Sequence, residues 1–196
     1  MYLFGASGHG KVVAEICESC NLEIEGFIDN DITKIEICGY SVLHDLPEEN
    51  SEICITIGDN KIRKRITEEN KMYTYLKLIH RSSNISSRCE IGKGTVIMGG
   101  VSINVDTHIG NHCIINTNAS IDHDCIIKDF VHISPNAALA GNVRIGEGTH
   151  VGIGACVIQG ITIGNWVTIG AGAVIIRDIP DGCIVVGNPG RIIKNK

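Results

Sequence analysis

Aliphatic residues recur at every sixth position over the second half of the chain. The series starts at Ile85 and runs without a break to Ile175. A second series of small or aliphatic residues follows each of these by four positions, from Cys89 to Ile179. A period of six matches neither the 3.6 of an α-helix nor the 2 of a lone strand. It predicts a parallel β-helix in which each hexapeptide supplies one short strand and one corner, with both series pointing inward.

This periodicity resembles that of the left-handed β-helix of hexapeptide-repeat proteins, in which three hexapeptides form one triangular coil. Residues 85–180 would then form about five coils. Residues three hexapeptides apart are expected to stack in successive coils. This rule places His123 beneath Gly141, His132 beneath His150, and Pro135 beneath Ile153 and then Ala171.

The amino-terminal part has a different pattern, which is typical of a strand, a glycine turn and a helix. A short apolar run at Tyr2–Phe4 enters the sequence GASGHG, residues 11–20 suit an amphipathic helix, and a strand over 23–28 ends at Asp29. A glycine turn before a helix, with an acidic residue about 20 positions later, is half of a nucleotide-binding unit. The glycines read GxxGxG rather than GxGxxG, so a plain strand–turn–helix remains the alternative.

Three further elements complete this region. We expect a buried strand over 52–57, a polar helix over 59–71, and a last strand over 73–79 that leads into the β-helix. Gly58-Asp59-Asn60 then lies at the carboxyl end of its strand, where open α/β sheets bind ligands. The basic cluster of the helix reads as a solvated face rather than a phosphate site; it comprises Lys61, Arg63, Lys64 and Arg65. The predicted domains are a Rossmann-like domain, residues 1–80, and a left-handed parallel β-helix with a carboxyl-terminal tail, residues 81–196.

The composition favours extended structure and argues against nucleic-acid, membrane and metal-binding functions. The chain holds 35 Ile against 7 Leu, which favours extended structure over helix. A net charge of −5 with no basic cluster of the required size argues against nucleic acid or membrane partners. Nine cysteines without a secretory signal indicate reduced thiols and a cytoplasmic protein. Cys17-x-x-Cys20 has no second pair, and His108 and His112 do not share a face, so we expect no metal site.

Seven stretches together resemble one family across the whole chain, the hexapeptide-repeat sugar acyltransferases. The family includes UDP-N-acetylbacillosamine N-acetyltransferase, the perosamine N-acetyltransferases and the sialic-acid O-acetyltransferase group. The matching stretches are YLFGASGHGKV, GFIDND, ITIGDNKIRKRI, LIHRSSNIS, INTNASIDHDCII, VHISPNAALAGNV and VVGNPGRII.

The resemblance implies an acetyl-CoA-dependent N-acetyltransferase that acts on the 4-amino group of a UDP-4-amino-4,6-dideoxy sugar, for a bacterial surface glycan or glycoprotein. It implies a homotrimer with active sites between subunits. The histidine of the NTxxxIxHD stretch, here His123, would be the general base, with Asp124 beside it. Asn116 would hold the acceptor amine, and the backbone N–H of Gly141 would bind the thioester oxygen.

The resemblance also implies two sets of ligand contacts. Acetyl-CoA would run along the prism past His132, Gly141, Ile153 and Ala171, with its adenine end near Pro189. The uridine diphosphate would contact Ser7, Gly8, His9, Gly10, Asp29, Asn30, Gly58 and Asn60. The pair Asn30-Asp31 departs from relatives that carry two acidic residues here, so the nucleotide contacts stay open.

The residues themselves are consistent with these roles. Histidine has a pKa near 6.5, suited to a base that removes a proton from an amine. Either Asp122 or Asp124 would orient His123, and Gly141 one coil above leaves space for a narrow thioester arm. His132 lies half a coil from His123, so the two join one site only across a subunit boundary.

Simpler readings compete with these roles. His123 could be a solvated corner residue, His132 and His150 could stack at a trimer interface, and Asn116 could stabilise a corner as part of an internal ladder. Alternative functions are O-acetylation of a sialic-acid-like sugar, N-acetylation of GDP-perosamine, or a non-catalytic trimeric nucleotide-sugar sensor. A β-helix carbonic anhydrase would need zinc, and the expected histidine pair is not in the sequence.

Overall fold

The amino-terminal region folds as an α/β sheet because its apolar runs are buried on both faces. The computed structural model describes residues 1–195, apart from the side chain of Asn195. The strands of the first sheet are β1 (Tyr2–Phe4), β2 (Gly26–Ile28), β3 (Glu36–Ile37), β4 (Tyr40–Leu43), β5 (Glu52–Ile55) and β6 (Thr74–Tyr75). Their order is β3-β4-β2-β1-β5-β6, and all neighbours are parallel except β3 and β4. The strand order reverses at β1, which makes its carboxyl end the expected ligand crevice.

Two helices cover this sheet. Helix α1 spans Gly8–Ser19 and buries one apolar stripe, formed by Val13, Ala14, Ile16 and Cys17. Helix α2 spans Asn60–Glu69, and the carboxylate of Asp59 caps it by accepting the backbone N–H groups of Lys61 and Ile62. The buried residues of α2 are Asn60, Arg63 and Ile66, so the buried face of this helix is largely polar.

Several element boundaries differ from the sequence expectations. Helix α1 begins at Gly8 rather than at residue 11, so Gly8, His9 and Gly10 form its first turn. The strands expected over 23–28 and 52–57 are shorter, and the helix expected over 59–71 spans residues 60–69. The strand expected over 73–79 is two strands in two sheets, because hydrogen bonding passes from β5 at Leu76 to the second region at Leu78. The first coil thus starts shortly before the expected boundary at residue 80.

The second region is a triangular prism of parallel strands, as the period of six predicted. Face 1 carries β7 (Leu78–Ile79), β10 (Val96–Ile97), β13 (Ile114–Ile115), β16 (His132–Ile133), β19 (His150–Val151), β22 (Thr168–Ile169) and β24 (Cys183–Val186). Face 2 carries β8 (Asn84–Ile85), β11 (Ser102–Ile103), β14 (Ser120–Ile121), β17 (Ala138–Leu139), β20 (Cys156–Val157) and β23 (Val174–Ile175). Face 3 carries β9 (Glu90–Ile91), β12 (His108–Ile109), β15 (Ile126–Ile127), β18 (Arg144–Ile145) and β21 (Thr162–Ile163).

Both aliphatic series fill the bore of the prism. From Ile97 to Ile175 every member of the first series is buried, and Ile79, Ile85 and Ile91 are partly buried at the open end. Strand β25 (Arg191–Asn195) pairs antiparallel with β24 and closes the other end. The predicted inward direction of the two series is confirmed.

The corners of the prism place one residue in six in the left-handed backbone region. Most of these residues are glycine, asparagine or aspartate, which tolerate a positive φ. The bulky exceptions all lie in one column at the corner between faces 3 and 1; they are His112 (φ 53°), Phe130 (φ 59°) and Trp166 (φ 54°). Helix α2 packs against this corner: Arg63 donates hydrogen bonds to two of its carbonyls, and the Lys64 ammonium lies over the Phe130 ring.

Within residues 1–195 no helix is both long enough and apolar enough to cross a membrane.

Candidate active site

His123 lies at the corner between faces 2 and 3 and is held by carboxylates on both sides. Its Nδ1 lies 2.7 Å from Oδ2 of Asp124. Asp122 accepts the backbone N–H of His123 at 2.8 Å and the amide of Asn104 at 2.7 Å. The sequence left two candidates for orienting the ring, and in the structure Asp124 bonds the ring while Asp122 holds the backbone.

The same contacts raise the pKa of His123. The largest cause is the hydrogen bond with Asp124, followed by the negative charge of Asp122. The side chain is about half exposed, so the second ring nitrogen, Nε2, is open to a ligand. An exposed imidazole with its Nδ1 fixed by a carboxylate is the arrangement of a general base.

Gly141 lies one coil above and faces this imidazole. A Cβ added to Gly141 would lie 2.6 Å from both Nε2 and Cε1 of His123. The corner is fixed by Asn142, which donates its N–H to the carbonyl of His123 at 2.9 Å. Among the hydrogen bonds within residues 1–195, the N–H of Gly141 has no acceptor. The imidazole of His123 therefore lies directly against the backbone of Gly141, whose N–H has no acceptor among the described residues.

A cavity of about 440 Å³ adjoins this corner on face 2. Its floor is made of small side chains in successive coils, namely Ser102, Ser120, Ala138 and Cys156. The wall at the corner changes from Asn104 and Asp122 to Ala140 and Ile158 along the prism axis. The groove is therefore polar beside His123 and apolar above it.

A second cluster lies on face 1, against the amino-terminal region. The rings of His132 and His150 stack at 4.8 Å between centroids with 6° between planes, as the period of 18 predicted. Asn116 Nδ2 lies 3.1 Å from His132 Nε2, and Ser134 Oγ lies 2.8 Å from His150 Nε2. Asn116, which was expected to hold the acceptor amine, contacts His132 and stands at a different corner from His123 within one chain.

The histidines of this cluster are neutral near pH 7. Burial lowers the pKa of His132 to about 3, with the neighbouring His150 as the second cause. Burial also lowers the pKa of His9, in the first turn of α1, to about 4, and the charge of Arg63 lowers it further. Nδ1 of His132 and Nε2 of His9 are buried without a hydrogen-bond partner.

A cavity of about 630 Å³ lies between this face and the loop that precedes α2. It joins the predicted residues Gly58 and His132 to residues that the sequence analysis did not select, including Lys61, Trp166 and Thr168. The side chain of Asn60 is not free for a ligand. Its Nδ2 donates to the carbonyl of Gly148 at 3.1 Å, and its Oδ1 accepts from Arg63 at 2.8 Å.

The expectation of a solvated basic face on α2 was wrong for Arg63, which is 1% exposed. The spacing of Asn60, Arg63 and Ile66 on one helical face could have indicated this burial. Lys64 and Arg65 are more exposed and pair with acidic residues on the same helix, Glu68 and Glu69.

A third cavity, of about 380 Å³, lies at the carboxyl ends of β1, β2 and β5. Asp29 and Asn30, which were assigned to the nucleotide, line this cavity together with His44 and Arg65, which were not. His44 directly follows the end of β4, a parallel strand, and this position was the available signal. Ser7, Gly8, His9 and Gly10 do not line this cavity, because they enter or form the first turn of α1.

Asp29 holds the glycine turn in place. Its carboxylate accepts the N–H of Ala6 at 2.9 Å, the N–H of Asp31 at 3.0 Å and Nζ of Lys34 at 2.8 Å. Partial burial raises the pKa of Asp29, but these three hydrogen bonds lower it more, so the net shift is downward.

The residues assigned to acetyl-CoA fall on different parts of one prism. Ile153 and Ala171 are exposed in successive coils at the corner between faces 1 and 2. Gly141 is at the next corner, His132 points into the 630 Å³ cavity, and Pro189 lies in the turn between β24 and β25. The structure of one chain does not join them into a continuous surface. No cluster of three or more potential metal-binding side chains occurs in the described part of the chain.

Two protein-family models match the chain. The PglD N-terminal domain matches residues 1–70, and the bacterial transferase hexapeptide (six repeats) matches residues 142–177. Among curated proteins, an uncharacterized protein of Acanthamoeba polyphaga mimivirus is 35% identical over 115 residues, which is 56% of this chain. The match spans 23% of the length of that viral protein.

Solved structures match nearly the whole chain. The acetyltransferase domain of PglB from Neisseria gonorrhoeae FA1090 is 41% identical, with a TM-score of 0.93 and 98% of each chain covered. A variant of perosamine N-acetyltransferase from Caulobacter crescentus, solved with CoA and GDP-perosamine, is 34% identical with a TM-score of 0.93. That match covers 98% of this chain and 96% of the Caulobacter chain. WeeI from Acinetobacter baumannii AYE is 28% identical, with a TM-score of 0.88 and 98% of each chain covered.

These matches confirm the predicted architecture of a small α/β region followed by a left-handed β-helix. They also confirm the family that the sequence motifs indicated, since relatives above 30% identity are covered almost completely. The chain belongs to the hexapeptide-repeat sugar acetyltransferases and is an acyltransferase.

Proposed function

We propose that this protein transfers the acetyl group of acetyl-CoA to the 4-amino group of a UDP-4-amino-4,6-dideoxy sugar. The main support for the proposal is that the imidazole of His123 lies against Gly141, whose backbone N–H has no acceptor among the described residues. Acyl transfer to an amine needs both a proton acceptor and a donor for the developing oxyanion. The relatives that were solved with CoA and GDP-perosamine, or with acetyl-CoA, support this chemistry.

In the proposed reaction the amine nitrogen attacks the thioester carbonyl and His123 Nε2 takes the proton that the nitrogen loses. Asp124 keeps Nδ1 of His123 protonated and stabilises the imidazolium that forms. The Gly141 N–H donates to the carbonyl oxygen while it carries negative charge. The C–S bond then breaks, and the thiolate of CoA receives the proton from His123.

The acceptor is proposed to bind from the amino-terminal side. Its nucleotide occupies the 380 Å³ cavity beside Asp29 and Asn30. Ser7, Gly8, His9 and Gly10 do not line that cavity and would contact the nucleotide from the start of α1. Gly58 and Asn60 then border the path from the nucleotide to the sugar, with the Asn60 side chain acting as a structural tie rather than a direct contact. The unpaired nitrogens of His9 and His132 would receive sugar hydroxyl or amine groups, with Asn116 beside them.

Acetyl-CoA is proposed to lie along the prism in the groove on face 2, with the thioester near Gly141. Ile153, Ala171 and Pro189 would meet its pantetheine and adenine parts from a neighbouring prism. A homotrimer follows from this proposal, because the base and the acceptor-binding cluster stand on different sides of one prism.

The test is thiol release from acetyl-CoA with UDP-4-amino-4,6-dideoxy-N-acetylglucosamine, with GDP-perosamine and free sialic acid in parallel. Rapid release with the UDP sugar alone is the expected result. GDP-perosamine is the second candidate acceptor, favoured by its presence in the Caulobacter complexes. If thiol is released only with GDP-perosamine, the proposed mechanism stands but the acceptor carries GDP rather than UDP.

Two other results would contradict the proposed reaction itself and not only the identity of the nucleotide. Release with sialic acid alone would indicate O-acetylation. UDP binding without release from any acceptor would favour a nucleotide-sugar sensor. Sedimentation equilibrium tests the trimer separately, and a monomer that turns over at full rate would contradict the shared site.

A further inference from the structure

Arg63 of helix α2 is a buried cation that forms no ion pair among the described residues. It is 1% exposed, and the ion pairs of the described chain do not include it. All five of its N–H groups instead have neutral oxygen acceptors. The contacts are Nε to His112 O (2.8 Å), Nη1 to Ile57 O (3.0 Å) and Gly58 O (3.3 Å), and Nη2 to Asn60 Oδ1 (2.8 Å) and Phe130 O (3.0 Å).

These five acceptors belong to two structures. Three of them lie in residues 57–60, the loop that joins β5 to α2. The other two are carbonyls of His112 and Phe130, both in the left-handed backbone region at the corner between faces 3 and 1. Asn60 extends the connection by one coil, since its Nδ2 donates to the carbonyl of Gly148. The Arg63 guanidinium thus fastens the loop to two successive coils of the prism, and Asn60 fastens it to the next coil.

The loop separates two of the cavities described above. Ile57 lines the 380 Å³ cavity, and Gly58 lines the 630 Å³ cavity together with His132 and His150. The position of residues 57–60 therefore sets the shape of the passage between the nucleotide side and the histidine cluster. The groove on face 2 beside Gly141 shares no residue with this loop.

We infer that Arg63 is a positioning residue for the acceptor substrate: its planar fork holds residues 57–60 against the prism in the shape that receives the nucleotide sugar. The inference rests on the proposed function. A buried cation is costly unless its donors are satisfied, and here every N–H of the guanidinium has an oxygen acceptor. Arg63 uses all five N–H groups of its planar guanidinium, and no other side chain offers that number of donors in a fixed arrangement. This indicates that the arginine serves to hold its acceptors in place.

The charge of Arg63 has a second effect on the same cluster. After burial, it is the next cause that lowers the pKa of His9 and of His150. Both rings are thereby kept neutral, so they meet the substrate as hydrogen-bonding groups rather than as cations.

The experiment compares Arg63→Lys with the matched change Arg88→Lys, made at an exposed arginine paired with Asp106 on the prism. Lysine keeps the charge but offers three donors from one point, so at least two of the five acceptors lose their partner. We expect Arg63→Lys to raise KM for the nucleotide sugar at least tenfold, with KM for acetyl-CoA and kcat within about twofold of wild type. The Kd of UDP, or of GDP where GDP-perosamine is the acceptor, should rise similarly in calorimetry. Arg88→Lys should change none of these.

Two results would overturn the inference. An Arg63→Lys protein with wild-type KM and Kd would mean that charge alone suffices. A lower Tm and a smaller active fraction with both KM values unchanged would mean a purely structural tie. If the lysine variant does not fold, Arg63→Gln, which keeps two of the donors, is measured in the same way.

Failure of the proposed function is distinguishable from failure of this inference. A wild-type protein that binds UDP or GDP but releases no thiol contradicts the enzyme assignment, while the Kd comparison between variants still decides the role of Arg63. A wild-type protein that binds neither nucleotide overturns both.

Discussion

The contact between Gly141 and His123 permits a one-methyl test of the proposed site. In Gly141→Ala the new Cβ would lie 2.6 Å from Nε2 and Cε1 of His123 and 3.2 Å from Nδ1, whereas ordinary contacts are 3.4–4 Å. The imidazole must therefore move by about 1 Å, and a displacement of that size costs on the order of 100-fold in rate. The backbone N–H stays in place, and Gly141 does not have a positive φ, so the methyl acts mainly through the ring.

We expect kcat for thiol release to fall about 100-fold, with Tm in differential scanning calorimetry unchanged. Gly99→Ala is the control, because its Cβ would meet Ser82 Oγ at 3.3 Å and His80 Nδ1 at 3.4 Å, away from His123. A double-mutant cycle with His123→Ala sharpens the test. Once the ring is removed, the methyl should have little further effect. A Gly141→Ala enzyme with kcat within threefold of wild type, or additive losses in the cycle, would refute the reasoning.

Two further predictions concern His123 and a third concerns the buried His112. His123→Ala should lower kcat/KM at least about 100-fold with unchanged Tm, and near-normal turnover would remove it from the role of base. Because the pKa of His123 is raised, chiefly by its hydrogen bond with Asp124, kcat/KM should decline as pH falls through a value above about 6.5, and Asp124→Asn should move that midpoint to lower pH in a pH–rate profile. Burial lowers the pKa of His112 to about 4, so the unfolded chain takes up its proton near 6.5 and the folded chain only near 4, and stability is lost as pH falls between these values. His112→Phe should reduce this loss of unfolding free energy by up to about 3 kcal/mol in urea titrations at pH 7 and pH 4, and an unchanged difference would contradict the assignment.

The periodicity of the sequence was sufficient to predict the prism because each hexapeptide fixes its own inward residues. Once Ile115, Ile133 and Val151 must share one bore, the stacking of His132 on His150 follows without further information. Gly141 above His123 follows for the same reason. The motifs around these columns were likewise sufficient to identify the family.

The first region was less predictable because its strands are short and its contacts are long-range. The sequence could not show that residues 73–79 divide between two sheets, since both halves read as extended. Arg63 was misjudged for a related reason. A basic residue among Lys61, Lys64 and Arg65 is usually solvated, and only the approach of the prism carbonyls makes its burial favourable.

The sequence by itself determined the β-helix, its register and the column that holds His123 beneath Gly141. These features follow from the six-residue repeat, because the same spacing of inward-pointing residues produces the same coil each time. Only the tertiary structure decided which aspartate orients His123, where Asn116 points, and how α2 is fastened to the prism. The position of Asn116 and the attachment of α2 depend on contacts between residues distant in the chain, such as Arg63 and Phe130, and no local pattern encodes them. His123 and Asp124 are adjacent, but both neighbouring aspartates are equally close in sequence, so only the side-chain geometry distinguishes them.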